Sequence, residues 1–272
     1  MNVNYSIYSE YIRSKFFIMS SIIKLRGKGV SRIINSKVML SPLAGVTDKI
    51  FRKLVRKWAP ESLLFTEMIN ATSLKHGYGT QKIKQLELEK GPIGVQIFDN
   101  RPFAVSEAAK LAEDSGAFLI DINMGCPVKK ISRKGGGSAL INDRLLAIEL
   151  VKRVSNAVKV PVTVKTRLGW ENKEENIEEF LLSLQDAGAE MITLHGRTRK
   201  EGFSGKADWE MIGKIKELLE IPVIANGDIK NPKDAFNCFK KTNADGLMIG
   251  RGILGSPWKI GEIDYAVKEI KG

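Results

Sequence analysis

One recurrence restricts the fold more than any other feature of this chain. From residue 37 onward, short apolar runs return at regular intervals: Val38–Leu40, Leu63–Thr66, Ile93–Phe98, Phe118–Met124, Val162–Thr166, Met191–Leu194, Val223–Ala225 and Leu247–Ile249. Each run is of strand length, and each gap between runs has room for a helix. Several gaps carry the helical period. In Lys49–Trp58, Ile50, Phe51, Leu54, Val55 and Trp58 fall on one side, and Lys49, Arg52, Lys53, Arg56 and Lys57 on the other. Arg144–Val158 and Asn176–Ala187 repeat that pattern. Strands that alternate with helices run parallel, because the helix is the crossover a parallel pair needs. Eight such units match a (β/α)8 barrel, which typically takes ~250 residues. A doubly wound sheet commonly uses fewer strands and places a GxGxxG fingerprint after the first. Here Ser41-Pro42-Leu43-Ala44-Gly45 stands in that place. The expected fold is α/β, a single TIM barrel over residues 37–272.

Composition narrows the class. A 272-residue chain that is 43% hydrophobic can bury a sizeable core, which excludes a disordered protein. Two cysteines, Cys126 and Cys238, exclude a disulfide framework and a four-cysteine zinc site. With His76 and His195 the only histidines, no metal is expected. No run approaches the ~20 apolar residues of a membrane span, so no membrane partner is expected.

The net charge is +12, and it is unevenly placed. Residues 1–40 hold Arg13, Lys15, Lys24, Arg26, Lys28, Arg32 and Lys37 against the single acid Glu10. Such an excess points to an anionic partner, nucleic acid first and a membrane surface second, or it serves solubility alone. Residues 1–36 are read as a basic N-terminal extension, disordered or RNA-binding, and are set apart from the barrel. A secretory signal lacks a clean cleavage site there. An organelle presequence or a start at Met19 stays open.

A barrel strand should turn polar at its C-terminal end, where barrel active sites form. The runs do so at Gln96, at Asp121, Asn123 and Cys126, at Lys165 and Arg167, at His195 and Arg197, at Asn226 and Asp228, and at Arg251. Their coincidence at one end of successive strands implies one composite site. Asn226-Gly227-Asp228 and Gly250-Arg251-Gly252 on the two closing strands suit a phosphate-bearing cofactor, because glycine lets backbone N–H groups approach an anion. The run Gly135-Gly136-Gly137-Ser138 reads as a weaker phosphate signal or a flexible link into the next helix.

The element Asp121-Ile122-Asn123-Met124-Gly125-Cys126-Pro127 carries a family resemblance. Joined with Pro42-Leu43-Ala44-Gly45-Val46-Thr47-Asp48, Val95-Gln96-Ile97, Val164-Lys165-Thr166-Arg167, His195-Gly196-Arg197-Thr198, Asn226-Gly227-Asp228 and Gly250-Arg251, it resembles the tRNA-dihydrouridine synthases over nearly the whole barrel. The resemblance implies an FMN enzyme that reduces uridine in tRNA, with NADPH (or NADH) resupplying electrons. It implies that Pro42, Leu43 and Ala44 lie against the flavin, that Gln96 hydrogen-bonds its ring and that Lys165 sits by its polar edge. His195, Asn226, Gly227, Asp228, Gly250 and Arg251 would hold the phosphate and ribityl chain. Cys126 would be the general acid and Asn123 a contact to the uracil.

The chemistry agrees. Reducing the C5=C6 bond of uracil takes a hydride at C6 and a proton at C5, and the proton calls for a positioned acid. A thiol with an ordinary pKa of ~8.5 is mostly protonated at neutral pH. Cys238, beside Phe236 and Phe239, reads as a structural thiol instead. The target uridine has to be flipped out to reach a barrel mouth. Lys129, Lys130, Arg133, Lys134, Arg197 and Arg199 are expected to ring that mouth and receive RNA phosphates, and the basic side of residues 49–57 to extend the footprint. Members of the family often carry a helical domain after the barrel. Here the chain stops soon after Pro257-Trp258, so either the protein is a short form or the sequence is incomplete; a cytoplasmic monomer is expected. Two other readings remain: an FMN oxidoreductase for a small pyrimidine or enone, and a non-catalytic RNA-binding barrel.

Overall fold

The computed structural model describes residues 22–84, 86–172 and 176–269. Most of the expected extension, residues 1–21, lies outside them. Residues 22–36 do not stand apart from the barrel. Strands β1 (Ile23–Arg26) and β2 (Ser31–Ile34) form an antiparallel hairpin that plugs the lower end of the barrel. Alternation decides which side chains enter. Ile23, Leu25 and Ile34 are buried against Met39, Leu63, Phe65, Leu119, Met191, Ile224 and Met248, while Lys24 and Arg26 face outward. The turn needs glycine, since a β-carbon on Gly27 would stand 2.4 Å from the Lys159 carbonyl oxygen.

All eight apolar runs become strands of one parallel sheet. They are β3 (Val38–Leu40), β4 (Leu64–Phe65), β6 (Ile93–Phe98), β7 (Leu119–Asn123), β8 (Val162–Arg167), β9 (Ile192–His195), β10 (Val223–Asn226) and β11 (Gly246–Ile249). A short β5 (Ile69–Asn70) continues β4 along the upper half of β6. Neighbours run β3-β11-β10-β9-β8-β7-β6-β4. Closure comes where the Leu40 N–H donates to the Leu63 carbonyl at 3.0 Å. Outward residues such as Val95, Ile97, Ile120, Ile122, Val162 and Val164 meet the helices in the main core. Inward residues form the apolar plug below and the polar site above. The resulting fold is a (β/α)8 barrel.

The helices are α1 (Lys49–Arg56), α2 (Ala71–Lys75), α3 (Pro102–Asp114), α4 (Lys129–Ser132), α5 (Arg144–Ala157), α6 (Ile177–Asp186), α7 (Trp209–Leu218), α8 (Pro232–Thr242) and α9 (Lys259–Glu269). Side-chain oxygens cap several of them: Asp48, Asp143, Asp208 and Asn231 each accept an N–H of the first turn. No helix among the described residues is long and apolar enough to cross a membrane.

The expected basic face on α1 is only partly a surface. Arg52 is 3% exposed, paired with Glu89 and donating to the Thr47 carbonyl at 2.8 Å. Arg56 donates to the carbonyls of Ser62 and Pro92 at 2.6 and 2.9 Å. Ile50, expected inward, is 78% exposed. The helix docks through Arg52 and Arg56 together with Phe51 and Val55, and Glu89 and those carbonyls satisfy the guanidinium groups there, as burial of a charge requires. Lys53 and Lys57 remain exposed.

Candidate active site

A cleft of ≈ 680 Å³ opens at the C-terminal ends of the strands. The corner that holds Cys126 follows β7. Past Asn123 the chain turns, the Met124 N–H donating to the Lys165 carbonyl at 2.8 Å and Arg167 Nε to the Gly125 carbonyl at 2.7 Å. The half-buried Cys126 follows, its carbonyl accepting the Ser138 N–H at 3.1 Å. Burial pushes its thiol pKa up, and the Val128 N–H, Arg167 and Lys165 only partly offset this. At neutral pH the group is a protonated thiol.

Lys165 lies on the neighbouring strand β8, in register with Asn123, and donates from Nζ to Asn226 Oδ1 at 2.9 Å. The Asn226 amide is held in turn by the Met248 carbonyl, at 2.8 Å. Burial, then Arg167, bring the Lys165 pKa down to about 8, with Asp121 and Cys126 opposing. Below these residues Asp121 is fully buried, and its carboxyl is pushed up to about 6 by burial against hydrogen bonds from Gln96 and Thr163.

At the other end His195 is kept neutral. Burial, with Lys165, Arg167, Arg197 and Arg251 around it, holds its pKa far below the usual imidazole range. Arg197 Nη1 lies 3.3 Å from His195 Nε2. A guanidinium only donates, so Nε2 accepts and the ring proton sits on Nδ1. Beside it Gly227 takes φ +121°, and a β-carbon there would stand 2.7 Å from Ala207 Cβ. Asp228 follows at φ 59°. Burial works against its charge, but the Ala207 N–H and Arg197 keep its carboxyl below the usual range. Arg251 opens a 3-10 turn, its guanidinium carbon 4.1 Å from the Phe203 ring centroid.

The third wall is the turn after β3. The Leu43 N–H donates to Thr47 Oγ1 at 3.0 Å and the Gly45 N–H to Glu67 Oε1 at 2.7 Å, which pins Pro42, Leu43 and Ala44 against the cleft. Met68 and Met248 complete the apolar lining.

Pro42, Leu43, Ala44, Gln96, Asn123, Cys126, Lys165, His195, Arg197, Asn226, Gly227, Asp228, Gly250 and Arg251 therefore share one cleft. Lys129, Lys130 and Arg133 do not line it; with Lys134 they are exposed on and after α4, and among the described residues they form no ion pair. Arg199 lies outside the cleft with its guanidinium carbon 4.4 Å from the Trp170 ring centroid. Arg197 departs from expectation. It is 1% exposed and holds Asp228 with two hydrogen bonds of 2.8 and 2.9 Å. Its other donors go to the Ser204 and Gly205 carbonyls at 2.8 and 2.7 Å. A buried guanidinium committed in this way braces the Asp228 turn and is not a surface cation for RNA phosphates. Lining residues that had been given no role include Met68, Phe203 and Lys230, and Arg167 had been placed at the composite site without one. Arg167 was within reach, since it is two residues from Lys165 and shares its strand face. Nothing in the sequence marks Phe203, on the loop after β9.

The sequence matches the family model for dihydrouridine synthase (Dus) over residues 39–272. It is 51% identical over 238 residues to a Synechocystis protein described as probable tRNA-dihydrouridine synthase 1, covering 88% of this chain and 67% of that one. It is 42% identical over 235 residues to tRNA-dihydrouridine synthase B of Xanthomonas axonopodis pv. citri, covering 85% and 70%. Among solved structures, a histamine dehydrogenase from Rhizobium sp. 4-9 superposes with a TM-score of 0.67 at 14% identity, covering 91% of this chain and 47% of that chain, a likeness of fold. A family match over the barrel and relatives this similar place the chain in the dihydrouridine synthase family.

Proposed function

We propose that this chain reduces uridine in tRNA to dihydrouridine, using FMN and an NAD(P)H donor. The observation that carries the reading is Cys126, a thiol held protonated at the rim of a cleft that Lys165 also lines, from the strand next to β7. Such a group is an acid poised to give a proton to C5 of a ring lying in the cleft.

The lining supports an FMN site. A cleft of ≈ 680 Å³ is in the range of cofactor pockets. His195, Arg251 and the turns at Gly227 and Gly250 gather donors and positive charge at one end, as a phosphate requires. Gly227 has no room for a side chain, because Ala207 and the His195 ring pack against it, and this sets the turn beside His195. Lys165 and Gln96 supply polar contacts at the other end, Asn123 a contact for the base, and Pro42, Leu43 and Ala44 an apolar wall for a flat ring. Reduced FMN, recharged by NADPH or NADH, would supply the hydride for C6 of the uracil. The protein's part is to hold the base, exclude water and deliver the Cys126 proton to C5, so that C5=C6 becomes a single bond. Family membership and the exposed Lys129, Lys130 and Arg133 beside Cys126 support tRNA as the bearer of that base.

The test is anaerobic reduction of the yellow protein with NADPH, followed by unmodified tRNA or free uridine. Reoxidation by tRNA and not by uridine is expected. Equal reoxidation by free uridine, or none by tRNA, contradicts the reading.

A further inference from the structure

Beneath the cleft four side chains on three neighbouring strands are joined in one hydrogen-bonded series. The register sets them side by side: Gln96 pairs with Asp121 across β6 and β7, and Asp121 with Thr163 across β7 and β8. Asp121 Oδ1 accepts the Thr163 hydroxyl at 2.6 Å, and Oδ2 accepts Gln96 Nε2 at 2.7 Å. Gln96 Oε1 accepts Asn123 Nδ2 at 2.7 Å. Asn123 Oδ1 then accepts the N–H groups of Cys126 at 2.9 Å and Gly125 at 3.2 Å. Asp121 is remote from the chemistry, yet it anchors the series.

The two amides are reversible in shape, since their nitrogen and oxygen ends are nearly alike. The two ends of the series are not. A backbone N–H only donates and a carboxylate only accepts, so one sense of each amide leaves every bond made. Turning either one round would set oxygen against oxygen or N–H against N–H in a buried place, with the desolvation cost that brings.

We propose that Asp121 is a positioning residue whose carboxylate fixes the sense of Gln96 and Asn123, so that Asn123 pins the Cys126 backbone with its oxygen and offers its nitrogen to the bound base. The second N–H of Asn123 is directed at the Met68 thioether, 3.8 Å away on the cleft wall. A thioether is a weak acceptor, and a ring carbonyl oxygen would displace it. On the uridine reading, on which this part rests, the donor suits the carbonyl edge of uracil and opposes the amino edge of cytosine. One buried carboxylate thus sets both the acid's loop and the preference for a carbonyl-bearing ring.

The two cysteines make the test clean. Labelling with ¹⁵N-cysteine gives two backbone amides, Cys126 in the series and Cys238 on α8 as a reporter of the whole fold. In the flavin-loaded full chain, Asp121→Leu is expected to speed exchange of the Cys126 amide by about tenfold or more, with Cys238 unchanged. Asp121→Asn restores most of the protection, because its oxygen can stay on Gln96 while its nitrogen donates to the Thr163 hydroxyl. Thr163→Val, which removes the other neighbour of Asp121, leaves Cys126 protected. Unchanged Cys126 exchange in Asp121→Leu, or equal deprotection in Asp121→Leu and Thr163→Val, overturns the proposal. Should Asp121→Leu fail to fold, Asp121→Asn with Thr163→Val carries the test, since the new amide then has nothing to hold its sense. Faster Cys126 exchange than in Thr163→Val alone is expected, and equal rates overturn the proposal. A parallel assay expects reoxidation by tRNA to slow about tenfold in Asp121→Leu. If the wild-type protein does not reduce uridine at all, the uridine reading falls, while the exchange result still decides the role of Asp121.

Discussion

Gly137 and Cys126 meet behind the catalytic corner: a β-carbon at residue 137 would stand 3.2 Å from Cys126 Cβ and 3.0 Å from its carbonyl oxygen. Gly137 also holds φ +60°. The glycine run is therefore a close-packed wedge under the acid rather than a flexible link. Gly137→Ala combines backbone strain with a push on Cys126, costing about 1–3 kcal/mol of stability. Uridine reduction is expected to fall about tenfold or more while FMN affinity holds, as a tRNA assay and a flavin titration would show.

Lys165 ties activity and stability to pH with opposite signs. Its pKa is about 8 in the folded protein against 10.5 ordinarily. Between those values the unfolded chain binds more protons, so stability rises with pH across that window. On the proposed placement of FMN, activity is expected to fall as pH passes about 8, where Lys165 loses its proton. Lys165→Met should remove both slopes. Thermal melts and initial rates over the same pH series check this.

Arg197 and the pair Lys129 and Lys130 should part company in a salt titration. Arg197→Ala leaves the Asp228 carboxylate without its partner and is expected to cost about 3–5 kcal/mol of stability. The salt dependence of tRNA binding should hardly change. Lys129→Ala with Lys130→Ala should leave stability within about 0.5 kcal/mol and flatten the log–log salt slope by roughly one to two.

The β1–β2 hairpin belongs to the barrel. Leu25→Ala, emptying a buried site among Phe65, Leu119 and Met248, is expected to cost about 2–5 kcal/mol in denaturant unfolding. Truncation to residue 37 should lower the melting temperature for the same reason.

What the sequence disclosed follows from which forces repeat along it. The eight strands announce themselves because each carries a short run of apolar residues for the core at a regular interval, and the site because polar residues recur where strands end. The hairpin stayed hidden because Lys24 and Arg26 alternate with Ile23 and Leu25, so its charge outweighed its buried face. Arg52, Arg56 and Arg197 were read as surface cations because a charge is at home in water until a partner is known. Their partners, Glu89, the Ser62 and Pro92 carbonyls and Asp228, lie far off in sequence or are backbone groups. Asp121 is legible as a polar strand residue, but its link to Cys126 exists only through the register of three strands.

The central claim is that Cys126 gives the proton that completes reduction of a tRNA uridine. Its most direct test is mass spectrometry of unmodified tRNA incubated anaerobically with NADPH and either the flavin-loaded protein or its Cys126→Ala variant. The account predicts the mass gain of two hydrogens at a uridine with the wild-type protein. With the variant the rate should fall about 100-fold or more while flavin reduction by NADPH and tRNA affinity stay the same. Equal rates of uridine reduction in the two proteins would contradict it.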